Sequence, residues 1–200
     1  MMAEDKVLRI LIADDEAVIR MGLKNLVTSL GYQVIDTAAN GHDALEKTKQ
    51  LKPDLLLLDI KMPGLDGMVV AETLAAEMPL PIVMLTAFSE KSLIERAANA
   101  AVMGYLVKPI HESKLRPMIE IAMTRFETMR IAAQEAYKLR HQLETRELID
   151  SAKKILIATG LSEAEAYNRL QMTAREKRCT MREVAEALIA VAQNMPPPQP

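Results

Sequence analysis

Leu55-Leu56-Leu57-Leu58-Asp59 constrains the fold of this chain more than any other stretch. Four apolar residues run into one aspartate, with Lys52-Pro53-Asp54 before them and Ile60-Lys61-Met62-Pro63-Gly64-Leu65-Asp66-Gly67 after. A short apolar run between such breakers reads as a strand buried on both faces. Strands of that kind lie centrally in parallel sheets, and open α/β folds bind ligands at their carboxyl ends. A carboxylate there is placed to meet a cation or to act as a nucleophile. It can equally cap the strand by accepting a loop N–H, so Asp59 alone decides nothing.

The neighbouring segments supply the context. Val7 to Ala13 is a second apolar strand, ending at Asp14-Asp15-Glu16. Glu16 to Leu30 has helical spacing and is closed by Gly31. Gln33 to Ala38 is a strand, Gly41 to Leu51 a helix, and the Asp59 strand follows. Next come a helix from Gly67 to Met78, a strand from Pro81 to Thr86, a helix capped by Ser89 and running through Ala101, and a strand from Gly104 to Lys108 before Pro109. Strict strand–helix alternation predicts an α/β fold, a doubly wound five-stranded parallel sheet of flavodoxin type with helices on both faces.

In such a sheet the strand ends converge on one edge. That edge would gather Asp14, Asp15, Asp59, Thr86 and Lys108. One polar residue at a strand end is ordinary. Three acids, a hydroxyl and a lysine together are not. Clustered carboxylates repel and want a cation, and hard oxygen ligands at a flexible edge suit Mg²⁺ with a phosphoryl partner.

These residues, with Met62-Pro63-Gly64-Leu65-Asp66-Gly67, Thr86-Ala87, Tyr105 and Lys108-Pro109, resemble the receiver domain of two-component response regulators from about residue 7 to 121. The resemblance implies that Asp59 accepts a phosphoryl group from a histidine kinase. It implies Mg²⁺ held by Asp14, Asp15, Asp59 and the Lys61 carbonyl, with Lys108 on the phosphoryl oxygens. Thr86, beside Ala87, would turn inward to the phosphate, and Tyr105 would follow between exposed and buried rotamers. It also implies a cis Lys108–Pro109 bond. No activity beyond phosphoryl transfer and self-dephosphorylation is expected, so the chain is not read as an enzyme.

From Met118 to Thr159 neither proline nor glycine interrupts the chain. A helix starting at His111 to Ser113 would carry Leu115, Ile119, Ala122, Phe126, Met129, Ala133 and Ala136 at spacings of three and four. Strict heptads then place Arg140 in the seam, whereas Leu139 and Leu143 require a stutter. The stripe predicts a two-stranded coiled coil, hence a homodimer, and the response-regulator resemblance implies that it forms on phosphorylation. Packing on the chain's own sheet is the other reading. Gly160 ends the helix, and Ser162-Glu163-Ala164-Glu165 and Thr180-Met181-Arg182-Glu183 are capping boxes for two more helices, to about Arg178 and Asn194. Pro196-Pro197-Pro198 stops the last, and the tail is expected to be disordered. The expected division is receiver 1–121, coiled-coil linker 122–145, a small three-helix domain 146–194 and tail 195–200.

A net charge of −2 over 200 residues excludes general attraction to nucleic acid, so any such site is a local patch. One such cluster is Arg175, Lys177 and Arg178 at the end of the second helix, where cations also suit the helix dipole. Arg146-x-x-Ile149-x-x-Ala152-Lys153, Gly160-Leu161-Ser162-Glu163, Ala166-Tyr167, Leu170, Ala174 and Val184-Ala185 resemble the ANTAR domain, a three-helix RNA-binding module of transcription antiterminators. Lys154-Ile155-Leu156-Ile157 and Cys179-Thr180 depart from its pattern. The resemblance implies paired RNA stem-loops as the target, with Lys153, Lys154, Tyr167, Arg169, Arg175, Lys177 and Arg178 as candidate contacts. A DNA-binding regulator is the first alternative, disfavoured because the last helix sets Glu183 and Glu186 beside Arg182. A helical domain that binds only protein is the second. The single cysteine, Cys179, fits a reducing compartment, and no segment reads as a signal core or membrane span, so a cytoplasmic location is expected.

Overall fold

The computed structural model describes residues 7–87 and 102–193. The chain divides into two compact units, Met1–Arg130 and Ile131–Pro200. In the first, β1 (Arg9–Ala13), β2 (Gln33–Ala38), β3 (Leu55–Asp59), β4 (Ile82–Thr86) and β5 (Val102–Val107) form one parallel sheet in the order β2-β1-β3-β4-β5. The order reverses between β1 and β3, the switch point of a doubly wound fold.

The four leucines of β3 are there because both sheet faces are covered. Leu56 and Leu58 join a core with Ala44 of α2 (Gly41–Leu51) and with Val70, Ala71 and Leu74 of α3 (Gly67–Glu77). Leu55 and Leu57 join the opposite core with Leu23 and Val27 of α1 (Ala17–Ser29) and with Leu115, Ile119 and Ala122 of α4 (Glu112–Ala158). Each buried leucine contributes about 1.5–3 kcal/mol, so β3 anchors the unit. Helix ends are set locally. Asn40 accepts from the Asp43 N–H at 2.9 Å, and Asp66 accepts from the Met68 N–H at 2.8 Å.

Three strand starts differ from expectation. The first strand begins at Arg9 rather than Val7, the fourth at Ile82 rather than Pro81, and the last at Val102 rather than Gly104. Glycine usually marks a strand boundary. Gly104 instead lies inside β5, where a Cβ would collide with the Met118 sulfur. The helix expected from Ser89 to Ala101 and the tail 195–200 lie outside the described residues.

The long apolar stripe is also corrected in part. Leu115, Ile119 and Ala122 are fully buried in the first unit, with Met118, Met123 and Phe126 packed on the same core. They cover their own sheet rather than a partner helix, so the packed receiver runs past residue 121 and takes Ala122 and Phe126 out of the linker. From Met129 the stripe is exposed, including Tyr137, Leu139 and Leu143.

In the second unit the last turns of α4 pack with α5 (Glu163–Lys177) and α6 (Met181–Gln193) around Ala152, Leu170 and Ala185. Small residues on α4 and α6 allow close helix approach, and Leu148, Ile149, Leu156, Val184 and Leu188 complete the core. Gly160 ends α4 at φ +102°. Both capping boxes form. Ser162 and Glu165 bond reciprocally, as do Thr180 and Glu183. Among the described residues no helix is long and apolar enough to cross a membrane.

Candidate functional site

The carboxyl ends of β1, β3, β4 and β5 bring the expected residues together. Asp14 follows β1, Asp59 ends β3, Thr86 ends β4, and Lys108 follows β5. Carboxylate oxygens of Asp14, Asp15 and Asp59 lie within 4.8 Å of one another. Asp14 is fully buried and Asp59 is 5% exposed, whereas Asp15 faces solvent. Lys108 Nζ sits between two of them, 2.7 Å from Asp14 Oδ2 and 3.0 Å from Asp59 Oδ1. Glu16 stands at the rim, 3.9 Å from the same ammonium. The Lys108–Pro109 bond is cis.

Three carboxylates against one ammonium leave a formal charge of −2. The consequence is visible at Asp59. Burial raises its pKa, Lys108 pulls it back down, and repulsion from Asp14 and Asp15 raises it again, to about 6. For Lys108, burial alone would lower the pKa, but bonding to Asp14 and Asp59 outweighs it and the net shift is upward. The lysine is therefore a fixed cation at neutral pH.

The donor set suits a hard divalent cation. Asp14 Oδ1 accepts from the Glu16 N–H at 2.9 Å. Asp14 Oδ2 is buried with the Lys108 ammonium 2.7 Å away. Three carboxylates clustered around one ammonium leave net negative charge that a further cation would neutralise. Asp15, Glu16, Asp59, Lys61, Ala87 and Lys108 line a cavity of about 280 Å³ over this cluster. Lys61 and Ala87 thus line the same cavity as the acids.

Thr86 is buried and its Oγ1 donates to the Ala87 carbonyl at 3.0 Å. Tyr105 is half-buried against the core of α2 and α3. Its hydroxyl is buried without a hydrogen-bond partner among the described residues, and burial raises its pKa. One supporting residue escaped the sequence reading. Arg20 on α1 donates from one guanidinium nitrogen to the Asp14 carbonyl at 2.6 Å and the Asp15 carbonyl at 2.9 Å, clamping the acidic pair from behind. Its only signal was a basic residue one helical turn after the acids. Gly67 was read as the end of the receiver-like motif and as a helix start, without a steric role. A Cβ there would collide with the Asp59 carbonyl, so the residue allows α3 to begin directly against the aspartate's backbone.

In the second unit the candidate RNA contacts line two grooves or are simply exposed. Lys153 and Tyr167 line one groove, and Arg169 and Lys177 line another with Cys179 and Val191. Lys154, Arg175 and Arg178 are exposed. Lys153 is engaged already, 2.9 Å from Asp150 and 3.0 Å from Glu163. The groove beside Tyr167 brings in Arg146 and Arg182, which had not been singled out as contacts.

Comparison with known proteins agrees with both units. A model of the response regulator receiver domain matches residues 10–120, and a model of the ANTAR domain matches residues 137–189. The chain is 42% identical over 182 residues to the transcriptional regulatory protein PdtaR of Mycobacterium tuberculosis, covering 90% of this chain and 89% of that one. It is 36% identical over 108 residues to the chemotaxis protein CheY of Thermotoga maritima, covering 54% of this chain and 90% of the relative. Among solved structures it resembles the signal receiver domain of a modulated diguanylate cyclase from Desulfovibrio desulfuricans G20, at 32% identity and a TM-score of 0.58, over 62% of this chain and 99% of that one.

Proposed function

The chain belongs to the response regulators that join a receiver domain to an ANTAR domain, and from that membership we propose that it is a phosphorylation-activated transcription antiterminator acting on RNA stem-loops. The observation that carries this reading is one chain holding the Asp14–Asp15–Asp59–Lys108 constellation together with an ANTAR helical unit.

Asp59 is the phosphoacceptor. Its carboxylate attacks the phosphorus of a kinase phosphohistidine, and the bond to the donor nitrogen breaks. Asp14, Asp15 and Asp59, with the Lys61 carbonyl, would hold Mg²⁺, which neutralises charge on the transferring group. Lys108 keeps its ammonium on the phosphoryl oxygens. The acyl phosphate carries about −1.5 to −2 charge. Thr86, leaving the Ala87 carbonyl, turns its hydroxyl to the phosphate, and Tyr105 moves into the space released.

The exposed apolar stripe of α4 beyond Met129 then pairs with a second copy as a coiled coil. Two ANTAR units joined in this way gain effective concentration for paired stem-loops, which offsets the weak charge of each. Bases unstacked in the loops meet Tyr167, and phosphates meet Lys153, Lys154, Arg169, Arg175, Lys177 and Arg178. An antiterminator hairpin is thereby favoured over a terminator. Kinase, RNA and a second copy are the partners, in the cytoplasm.

The test is binding to an RNA with two short stem-loops, with and without beryllofluoride plus Mg²⁺. Tighter binding with the mimic, lost in Asp59→Ala, is expected. Equal binding in both states would overturn phosphorylation control, and binding in neither would overturn the RNA target.

A further inference from the structure

Arg169, Thr173 and Lys177 recur every four residues on α5, so they stand in one row along its axis, about 12 Å from first to last. Glu183, Ala187 and Val191 repeat the pattern on α6. The two rows wall a groove of about 460 Å³. Its floor is aliphatic. Leu170 is buried there, and Leu156, Val184 and Leu188 pack on the same core. None of the described residues lining it is aromatic.

The two walls differ in charge. Arg169 and Lys177 are exposed, and among the described residues no carboxylate lies within 4.0 Å of either. Two acids near them are committed to helix starts. Glu165, one turn before Arg169, accepts from the Ser162 N–H at 2.8 Å and the Ser162 hydroxyl at 2.6 Å. Glu183, the one acid lining the groove, accepts from the Thr180 N–H at 2.7 Å and the Thr180 hydroxyl at 2.9 Å. One wall therefore carries two uncompensated cations, while the other ends in Val191, 61% exposed.

An apolar trough with cations along one edge fits a ligand that is apolar along its length and anionic at one end. A nucleobase finds no ring to stack on here, and a phosphate gains nothing from Leu170, Leu188 or Val191. A compact anion would meet the cations and leave the aliphatic floor uncovered. We infer that this groove binds a medium-chain aliphatic carboxylate, a free fatty acid. Its carboxylate rests at the α5 rim on Arg169 and Lys177, and its chain crosses Leu170 and Leu188 toward Val191. The same two cations are among the phosphate contacts proposed above, so bound carboxylate and RNA exclude each other. That consequence alone rests on the RNA-binding reading.

The test titrates octanoate, decanoate and 1-octanol into the full chain by calorimetry, each below the concentration at which it self-associates. One site per chain is expected. Decanoate binds about tenfold more tightly than octanoate, because two more methylenes are buried. Octanoate binds at least about tenfold more tightly than 1-octanol, because the charged contact is lost in the alcohol. Arg169→Ala with Lys177→Ala removes that advantage and leaves 1-octanol unchanged. Val191→Glu weakens all three with the circular dichroism unaltered. Cys179, the single cysteine, also lines the groove. Decanoate at about ten times its dissociation constant therefore slows alkylation of the thiol about tenfold. Equal binding of octanoate and 1-octanol, or alkylation unmoved by saturating decanoate, would overturn the site. Binding only to a chain ended at Gln193 would overturn it by giving the groove to the chain's own residues 194–200. Binding that tracks the break-up of dimers in sedimentation velocity would overturn it by giving the groove to a second copy. Decanoate should also release a bound two-hairpin RNA. Decanoate and RNA held together by one chain would overturn the exclusion, whereas failure of any RNA to bind would overturn the RNA reading and leave the carboxylate site standing.

Discussion

Asp59 carries opposite demands in one carboxyl group. Burial and the two neighbouring acids hold its pKa near 6, above the usual 3.8. The folded state therefore keeps a proton between those values that the unfolded chain has already lost. Stability from this group is complete below about pH 4 and is lost as pH rises through 6. Thermal unfolding in EDTA should show the wild type losing stability relative to Asp59→Asn between pH 4 and 7. Saturating Mg²⁺ should reverse that loss; a difference independent of pH would show that repulsion at the site is not what Asp59 bears. Arg20 acts one step back, holding the Asp14 and Asp15 carbonyls. Arg20→Ala should weaken Mg²⁺ binding by roughly 10- to 100-fold in calorimetric titration, the usual cost of removing a supporting partner, with the circular dichroism unchanged. The acids and Lys108 were legible in the sequence because each sits where an apolar run stops. Arg20 and the steric role of Gly67 were not, because a guanidinium reaching back to carbonyls and a missing Cβ leave no pattern in a single sequence.

Among the elements, β3 and β4 were the most legible. Strands covered on both faces must be apolar throughout, and both are buried from end to end. The capping boxes were equally plain, since Ser162 with Glu165 and Thr180 with Glu183 form within one turn and need no tertiary information. The stripe on α4 was ambiguous for a physical reason. Spacing by three and four describes any apolar helix face and does not name what covers it. The sheet covers Leu115, Ile119 and Ala122, while Leu139 and Leu143 are about 60% exposed, at 61% and 62%. A coiled coil predicts that Leu139→Glu with Leu143→Glu weakens self-association in beryllofluoride and Mg²⁺ by at least about tenfold, since each buried leucine contributes about 1.5–3 kcal/mol. Sedimentation velocity would detect it. Unaltered dimers would mean that another face pairs the chains, and loss of Mg²⁺ binding in the same variant would mean that the substitutions reach the receiver core.

At the scale of the whole molecule the proposed scheme gives the two units different ligands in one chain, and linkage makes any coupling between them reciprocal. If a phosphoryl mimic on Asp59 tightens RNA binding by some factor, RNA must tighten retention of the mimic by the same factor. The two units also have separate stabilisers. Mg²⁺ with beryllofluoride should raise the unfolding temperature of the first unit, whose core is the sheet, and RNA that of the second, whose core is centred on Ala152, Leu170 and Ala185. Dimerisation through α4 supplies the coupling in the proposed scheme. The variant with both Leu139→Glu and Leu143→Glu should therefore bind the mimic and bind single hairpins as the wild type does, yet lose the reciprocal factor on two-hairpin RNA. Calorimetric titration of beryllofluoride with and without that RNA measures the factor directly. A factor of one in the wild type would mean that phosphorylation and RNA binding share a chain without sharing free energy. A factor that survives in the variant would place the coupling within a single chain, carried by α4 as a continuous helix rather than by its pairing.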